Sequence, residues 1–142
     1  MKTKLDIESI QYINLFWFIT GVRAVDCFKY GSSIVFVVRP DFVLKAVGKN
    51  GENVKRLSEK IRKKVKVISL PPKHMSDYGL AKFILALTHP IKFRRLTRDN
   101  ECIKITAGPE AKARLIGRNS ARLNELRCII RKYFKIKGVK IE

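Results

Sequence analysis

Two short loops carry the residue types in this sequence best suited to chemistry: Gly48-Lys49-Asn50-Gly51 and, 69 positions later (117 − 48), Gly117-Arg118-Asn119-Ser120. A Gly-x-x-Gly loop with a cation inside it, opening a helix, suits the gripping of a phosphate. Its second glycine can take backbone angles closed to other residues, and neither glycine has a side chain to hold a ligand away. The helix that follows points free N–H groups and the positive end of its dipole at the same spot. A lone loop of this kind is a weak signal, since glycine is also common in plain helix–helix turns. Repetition in a basic chain strengthens it.

The charge supports a polyanionic ligand. The 142 residues hold 31 Lys and Arg against 12 Asp and Glu, a net +19. The excess is shared: residues 1–71 carry 14 basic and 6 acidic side chains, residues 72–142 carry 17 and 6. No basic tail accounts for it, so the cations belong to folded surface. Each phosphate they neutralise would release counterions, which makes nucleic acid the leading partner. A lysine-rich surface of a heat-adapted protein is the plainer alternative, but such proteins enrich glutamate alongside lysine.

The elements around the loops also repeat. At an offset of 69, Pro40 falls on Pro109, Arg62 on Arg131, Lys63 on Lys132 and Lys66 on Lys135. Val54, Leu57 and Ile61 fall on Leu123, Leu126 and Ile130, spaced as one face of a helix. Two copies of a unit this long indicate a domain duplication, with domains at 1–71 and 72–142. In the first, the patterns predict a helix from Asp6 to Thr20 ended by Gly21, then strands Val22–Lys29 and Ser33–Arg39 around a Gly31 turn. A short helix from Pro40, the loop, a helix from Glu52 to about Lys63 and a strand Val65–Ile68 complete it, and Pro71-Pro72 forms a stiff link. In the second, Ser76 caps a helix through Leu87, and strands Ile91–Arg98 and Cys102–Ala107 flank an Asp99-Asn100 turn. A short helix from Gly108-Pro109, a long helix capped by Ser120 or Asn119, and a strand Phe134–Ile141 follow. The class is α+β.

That order, with GxxG between its last two helices, resembles the type II KH domain, and the string Ala46-Val47-Gly48-Lys49-Asn50-Gly51-Glu52-Asn53-Val54 is similar to that family's loop and helix start. Two such units from Leu5 to Ile141, with the tract from Ile19 to Cys27, resemble the short archaeal NusA-type transcription factors. Bacterial members add an N-terminal polymerase-binding domain and an S1 domain, for which this chain has no room. The resemblance implies a clamp on about four nucleotides of single-stranded RNA. Gly48, Lys49, Asn50 and Gly51 would then touch the sugar–phosphate chain, Lys55 and Arg56 would extend the cationic rim, and Ala46, Val47 and Val54 would floor the base groove. In the second unit Gly117, Arg118, Asn119 and Ser120 take the loop's part, with Arg114 and Arg122 beside them. Ser120 has a Cβ where the pattern has glycine, so there the arginines carry more of the expectation than the loop. The RNA would be a nascent transcript, and the outcome altered termination or antitermination. A KH protein of ribosome assembly that binds ribosomal RNA, and a basic adaptor that binds RNA polymerase, are the alternatives.

Other signals are weaker. Cys27, Cys102 and Cys128 are scattered and form no metal-binding or disulfide pattern. His74 and His89 have no acid or thiol at ligand spacing, and no nucleophile elbow, Walker loop or paired carboxylate is present, so neither an enzyme nor a cofactor or metal is expected. The apolar run Ile10–Ile19 is too short for a membrane span, and a soluble, cytoplasmic protein without a small-molecule substrate is expected. Within it, Leu15-Phe16-Trp17-Phe18-Ile19 reads as core or interdomain packing in preference to a base-stacking or docking strip.

Overall fold

A computed structural model describes residues 7–72 and 76–142. Leu5, Asp6 and His74, used in the sequence reading, lie outside the described residues. The chain is α+β and divides into two compact units between Leu70 and Pro71.

The first unit begins with helix α1, Ile7–Thr20. Gly21 (φ +73) ends it, its N–H donating to the Trp17 carbonyl at 2.8 Å. The buried Thr20 hydroxyl donates to the Phe16 carbonyl at 2.7 Å and accepts from the Val22 N–H at 3.0 Å, which fastens the last turn to the outgoing chain. Strands β1 (Asp26–Tyr30) and β2 (Ser33–Val38) pair antiparallel. A 3-10 turn at Pro40–Phe42 runs into helix α2, Val43–Val47. Then come the GxxG loop, helix α3 (Glu52–Ile61) and strand β3 (Lys64–Ser69), which pairs parallel with β2. A parallel neighbour requires such a helical crossover, and the crossover is what carries the loop. Beneath it lie Phe16, Ile34, Phe36, Val38, Ala46 and Leu57, all buried. The Phe16 and Phe36 rings stack with centroids 4.4 Å apart, an arrangement that adds about 1 kcal/mol to their burial.

The second unit repeats this order. Helix α4 (Asp77–Thr88) starts at Ser76, whose hydroxyl accepts the Gly79 N–H at 3.2 Å. Thr88 closes it as Thr20 closes α1, donating to the Ile84 carbonyl at 3.0 Å. Strands β4 (Arg95–Asp99) and β5 (Cys102–Thr106) pair antiparallel. Helix α5 (Pro109–Ile116), the second loop and helix α6 (Ala121–Tyr133) lead to β6 (Gly138–Ile141), parallel to β5. Leu80, Ile84, Leu87, Ile103, Ile105, Leu115, Leu126 and Ile130 are among its most buried side chains.

Several expected boundaries move. Val22–Val25 and Ile91–Arg94 are not strands; Val25 and Arg94 each donate one ladder-like bond, to the Val37 and Thr106 carbonyls at 2.7 Å. Alternating burial of Val22 and Ala24 reflects an extended chain on the core, a pattern that needs no partner strand. Residues 134–137 likewise precede β6 without joining it. The second hairpin turns at Asn100-Glu101, with Asn100 at φ +55, one residue beyond the expected turn. The match of Lys66 to Lys135 dissolves, because Lys66 faces Val35 in register while Lys140 faces Lys104. Helix α6 is longer than α3, 13 residues against 10, so Arg62 leaves its helix at φ +64 while Arg131 stays inside. Arg131 and Arg127 then hold the longer connection, donating to the Lys137 and Val139 carbonyls at 3.0 and 3.3 Å.

Candidate nucleic-acid interface

The two loops have one backbone conformation. Gly48 and Gly117 stand at φ/ψ 83/171 and 75/172, and Asn50 and Asn119 at 55/30 and 55/32. Gly51 and Ser120 follow at 72/19 and 60/23. Each closes with the same bond, the Gly51 N–H to the Gly48 carbonyl and the Ser120 N–H to the Gly117 carbonyl, both 3.2 Å. Ser120 occupies the cap position of α6 without a side-chain capping bond, contrary to the expectation that its hydroxyl caps the helix. It has adopted the glycine's left-handed geometry instead.

The first glycine of each loop is fixed by space as well as by angle. A Cβ on Gly48 would lie 2.9 Å from Asn53 Cγ, and one on Gly117 would lie 2.8 Å from Arg122 Cγ. A Cβ on Gly51 would meet nothing within 4 Å. Only the fourth position therefore has room for a serine.

The side chains between the glycines, Lys49, Asn50, Arg118 and Asn119, are exposed. Arg114 is exposed on α5, and its counterpart at the same offset is Lys45 on α2, a cation the sequence reading passed over. Lys55 is exposed on α3. Arg56 is exposed too and pairs with Glu52 at 3.3 Å, one turn back. Arg122 is only half-exposed, packs on Gly117 and pairs with Glu125 at 2.6 Å, so its guanidinium is committed to α6. Val47 and Val54 are half-buried, Val54 packing on the core, while Ala46 is fully buried and cannot floor a groove.

Four further residues have surroundings that were not read from sequence. Asn53 donates from Nδ2 to the Lys45 carbonyl at 3.2 Å, tying α3 to the end of α2 across the first loop. Glu52 sets a carboxylate at the start of α3, where α6 has Ala121; the first loop is thus less cationic than the second. Trp17 and Phe18, expected to be packed away, are exposed by 50% and 88%; only Phe16 of that trio is buried. Successive helical residues point about 100° apart, so three in a row cannot share a face.

The sequence is 30% identical over 145 residues to the probable transcription termination protein NusA of Methanocaldococcus jannaschii, covering 99% of this chain and 75% of that protein. The chain belongs to the archaeal NusA family. The corresponding protein of Methanococcus vannielii, also named probable transcription termination protein NusA, is 28% identical over 145 residues, covering 99% of this chain and 80% of its own. Among solved structures, the crystal structure of APE1850 has the same fold, with a TM-score of 0.61 at 24% identity over 96% of this chain and 99% of that one. No protein-family model matches the chain. Among the described residues no helix is long and apolar enough to cross a membrane, and no three His, Cys, Asp or Glu side chains converge as metal ligands.

Proposed function

We propose that this NusA-family chain is a pair of consecutive type II KH domains that binds single-stranded RNA and acts on nascent transcripts in termination or antitermination. The observation that carries the reading is the matched pair of loops. Two segments 69 residues apart hold the same unusual backbone, with positive φ at the first, third and fourth places of each loop. One of them keeps it at the expense of a serine in left-handed space. Packing against Asn53 and Arg122 accounts for the first glycine of each loop. It does not account for the left-handed fourth place, where a Cβ would meet nothing at Gly51; a phosphate passing close to the backbone accounts for it. Each loop presents one cation and one asparagine to solvent, the chemistry of a sugar–phosphate contact. The order helix, two antiparallel strands, short helix, loop, helix, parallel strand supports the KH reading of both units. The names of the archaeal relatives support a place in transcription termination. The mode is binding, with no chemical step and no cofactor.

The test is a titration of short labelled single-stranded RNAs at several salt concentrations. Wild type should show a log K against log salt slope of about −0.7 per phosphate neutralised. Lys49→Asp/Asn50→Asp and Arg118→Asp/Asn119→Asp should each weaken binding strongly and flatten the slope. Affinity unchanged in both double variants would overturn the reading.

A further inference from the structure

A second cationic place recurs in both units, at the opposite end of the short helix from the loop. In the first unit a recess of about 600 Å³ opens among Trp17, Arg23, Val25, Arg39 and Phe42. The Arg23 guanidinium carbon lies 4.6 Å from the centroid of the Trp17 ring. Lys45 reaches over the wall of the recess, its Nζ 3.9 Å from where a Cβ on Gly21 would be. Arg23, Arg39 and Lys45 are all exposed, and among the described residues none pairs with a carboxylate. Trp17 and Phe42 keep 50% and 44% of their surface in solvent. Half-open aromatic rings beside cations that have no carboxylate partner are a poor use of packing and a good fit to a nucleotide.

The second unit keeps the cations and drops the rings. A smaller recess of about 300 Å³ opens there between Pro90–Lys92 and Gly108–Ala111, with Arg114 on its wall. At the offset of 69, Lys92 stands for Arg23 and Arg114 for Lys45. Arg39 has become Gly108, yet the Arg94 guanidinium lies over that glycine, 3.4 Å from where its Cβ would be. Ala86 and Ala111 stand where the first unit has Trp17 and Phe42. Glu110 lines the second recess and Asp41 adjoins Phe42 in the first, so three cations against one carboxylate leave a local excess of positive charge in both. Had the recess served only packing, its apolar residues would be the part retained; the cation count is what persists, through a different arginine.

We propose that this recess is a second phosphate contact in each unit, and in the first unit a base-stacking site as well. A strand leaving the GxxG loop lays a phosphate among Arg23, Arg39 and Lys45 and stacks a base on Trp17 or Phe42. Arg39 and Phe42 stand toward the far end of the helical segment Pro40–Val47 from the loop, whose full rise of about 13 Å is the span of about four stacked nucleotides, and Lys45 lies between. The inference rests on the RNA-binding reading above and extends the footprint beyond the clamp.

The chain has one tryptophan, so its fluorescence reports on this recess alone. An oligoadenylate of about 12 nucleotides, room for clamp and span together, is titrated while RNA anisotropy and Trp17 emission are followed in parallel. Binding should quench Trp17. Phe42→Ala should weaken binding about fivefold or more, Phe42→Tyr should restore it, and Arg23→Gln/Arg39→Gln should flatten the salt slope by about 0.7. Melting midpoints close to wild type identify these losses as contact losses. If RNA binds and Lys49→Asp/Asn50→Asp abolishes binding, but Trp17 emission and the recess variants behave as without RNA contact, this inference fails and the clamp stands. If no RNA binds at all, both fall. Quenching by polyglutamate but not by RNA would assign the recess to an acidic protein surface and overturn the inference.

Discussion

Gly51 and Ser120 hold the same left-handed backbone conformation at equivalent places in the two loops, φ +72 and φ +60, although only one of them is a glycine. For a residue with a Cβ this region costs about 1–2 kcal/mol. Glycine escapes that cost but loses about 0.5–1 kcal/mol more backbone entropy on folding. Ser120→Gly should therefore stabilise the second unit by about 0.5–1 kcal/mol, read as a higher urea midpoint at unchanged slope, and Gly51→Ser should lose a similar amount in the first. A loss of stability in Ser120→Gly would mean that the hydroxyl makes a contact worth more than the strain.

Gly48 and Gly117 stand differently, since angle and space both exclude a side chain. A Cβ at either position meets the residue five places on, Asn53 or Arg122, at under 3.0 Å. Gly48→Ala and Gly117→Ala should each cost about 2–4 kcal/mol, the sum of left-handed strain and overpacking. Gly51→Ala should cost about 1 kcal/mol, because nothing stands in its way. Equal losses at Gly48 and Gly51 in chemical denaturation would remove the steric part of this argument.

The contrast explains what could be read from the residues alone. Element order, the helix faces at Val54, Leu57 and Ile61, and the loop positions follow from periodicity and spacing, which depend on local geometry. The outward turn of Trp17 and Phe18 depends on which side of α1 meets the sheet, and the apolar residues of α1 are spread around the helix, so no periodicity marks that side. The commitment of Arg122 to Glu125 is equally silent, since an i, i+3 pair looks the same whether or not the arginine also faces a ligand. The offset of 69 misleads past Ile61, where α6 runs on for another turn and the five-residue lag up to Lys140 appears. A duplication is aligned by its packed core, and surface lysines beyond the core match by abundance.

Glu52 gives the first loop a handicap that the second lacks. Its carboxylate lies next to Gly51 and opposes a phosphate at the loop, while steadying the α3 dipole and pairing with Arg56. Glu52→Ala should tighten RNA binding several-fold at low salt, with the gain fading as salt rises, and should cost a few tenths of a kcal/mol in stability. Titrations at two ionic strengths, paired with urea curves, separate the two effects. Affinity that falls in Glu52→Ala would sink the clamp geometry proposed for Gly48 to Gly51.

Lys66 offers a test of the sheet by pH. It sits in β3 opposite the fully buried Val35, and burial, followed by the like charge of Lys64, holds its ammonium below the ordinary 10.5. Lys64 lies two residues back, on the same face of the strand. A folded pKa below the unfolded one means that the unfolded chain keeps the proton more readily, so stability rises with pH through the interval between the two values. Below that interval, and hence at neutral pH, the penalty is fully present. Lys66→Met should accordingly be more stable than wild type at about pH 7, and the gap should narrow as pH approaches 10. Comparing the variant with wild type at each pH cancels most of the general relief of positive charge as other lysines titrate. A gap of the same size at both pH values would show that Lys66 is solvated in the folded unit and carries no buried charge.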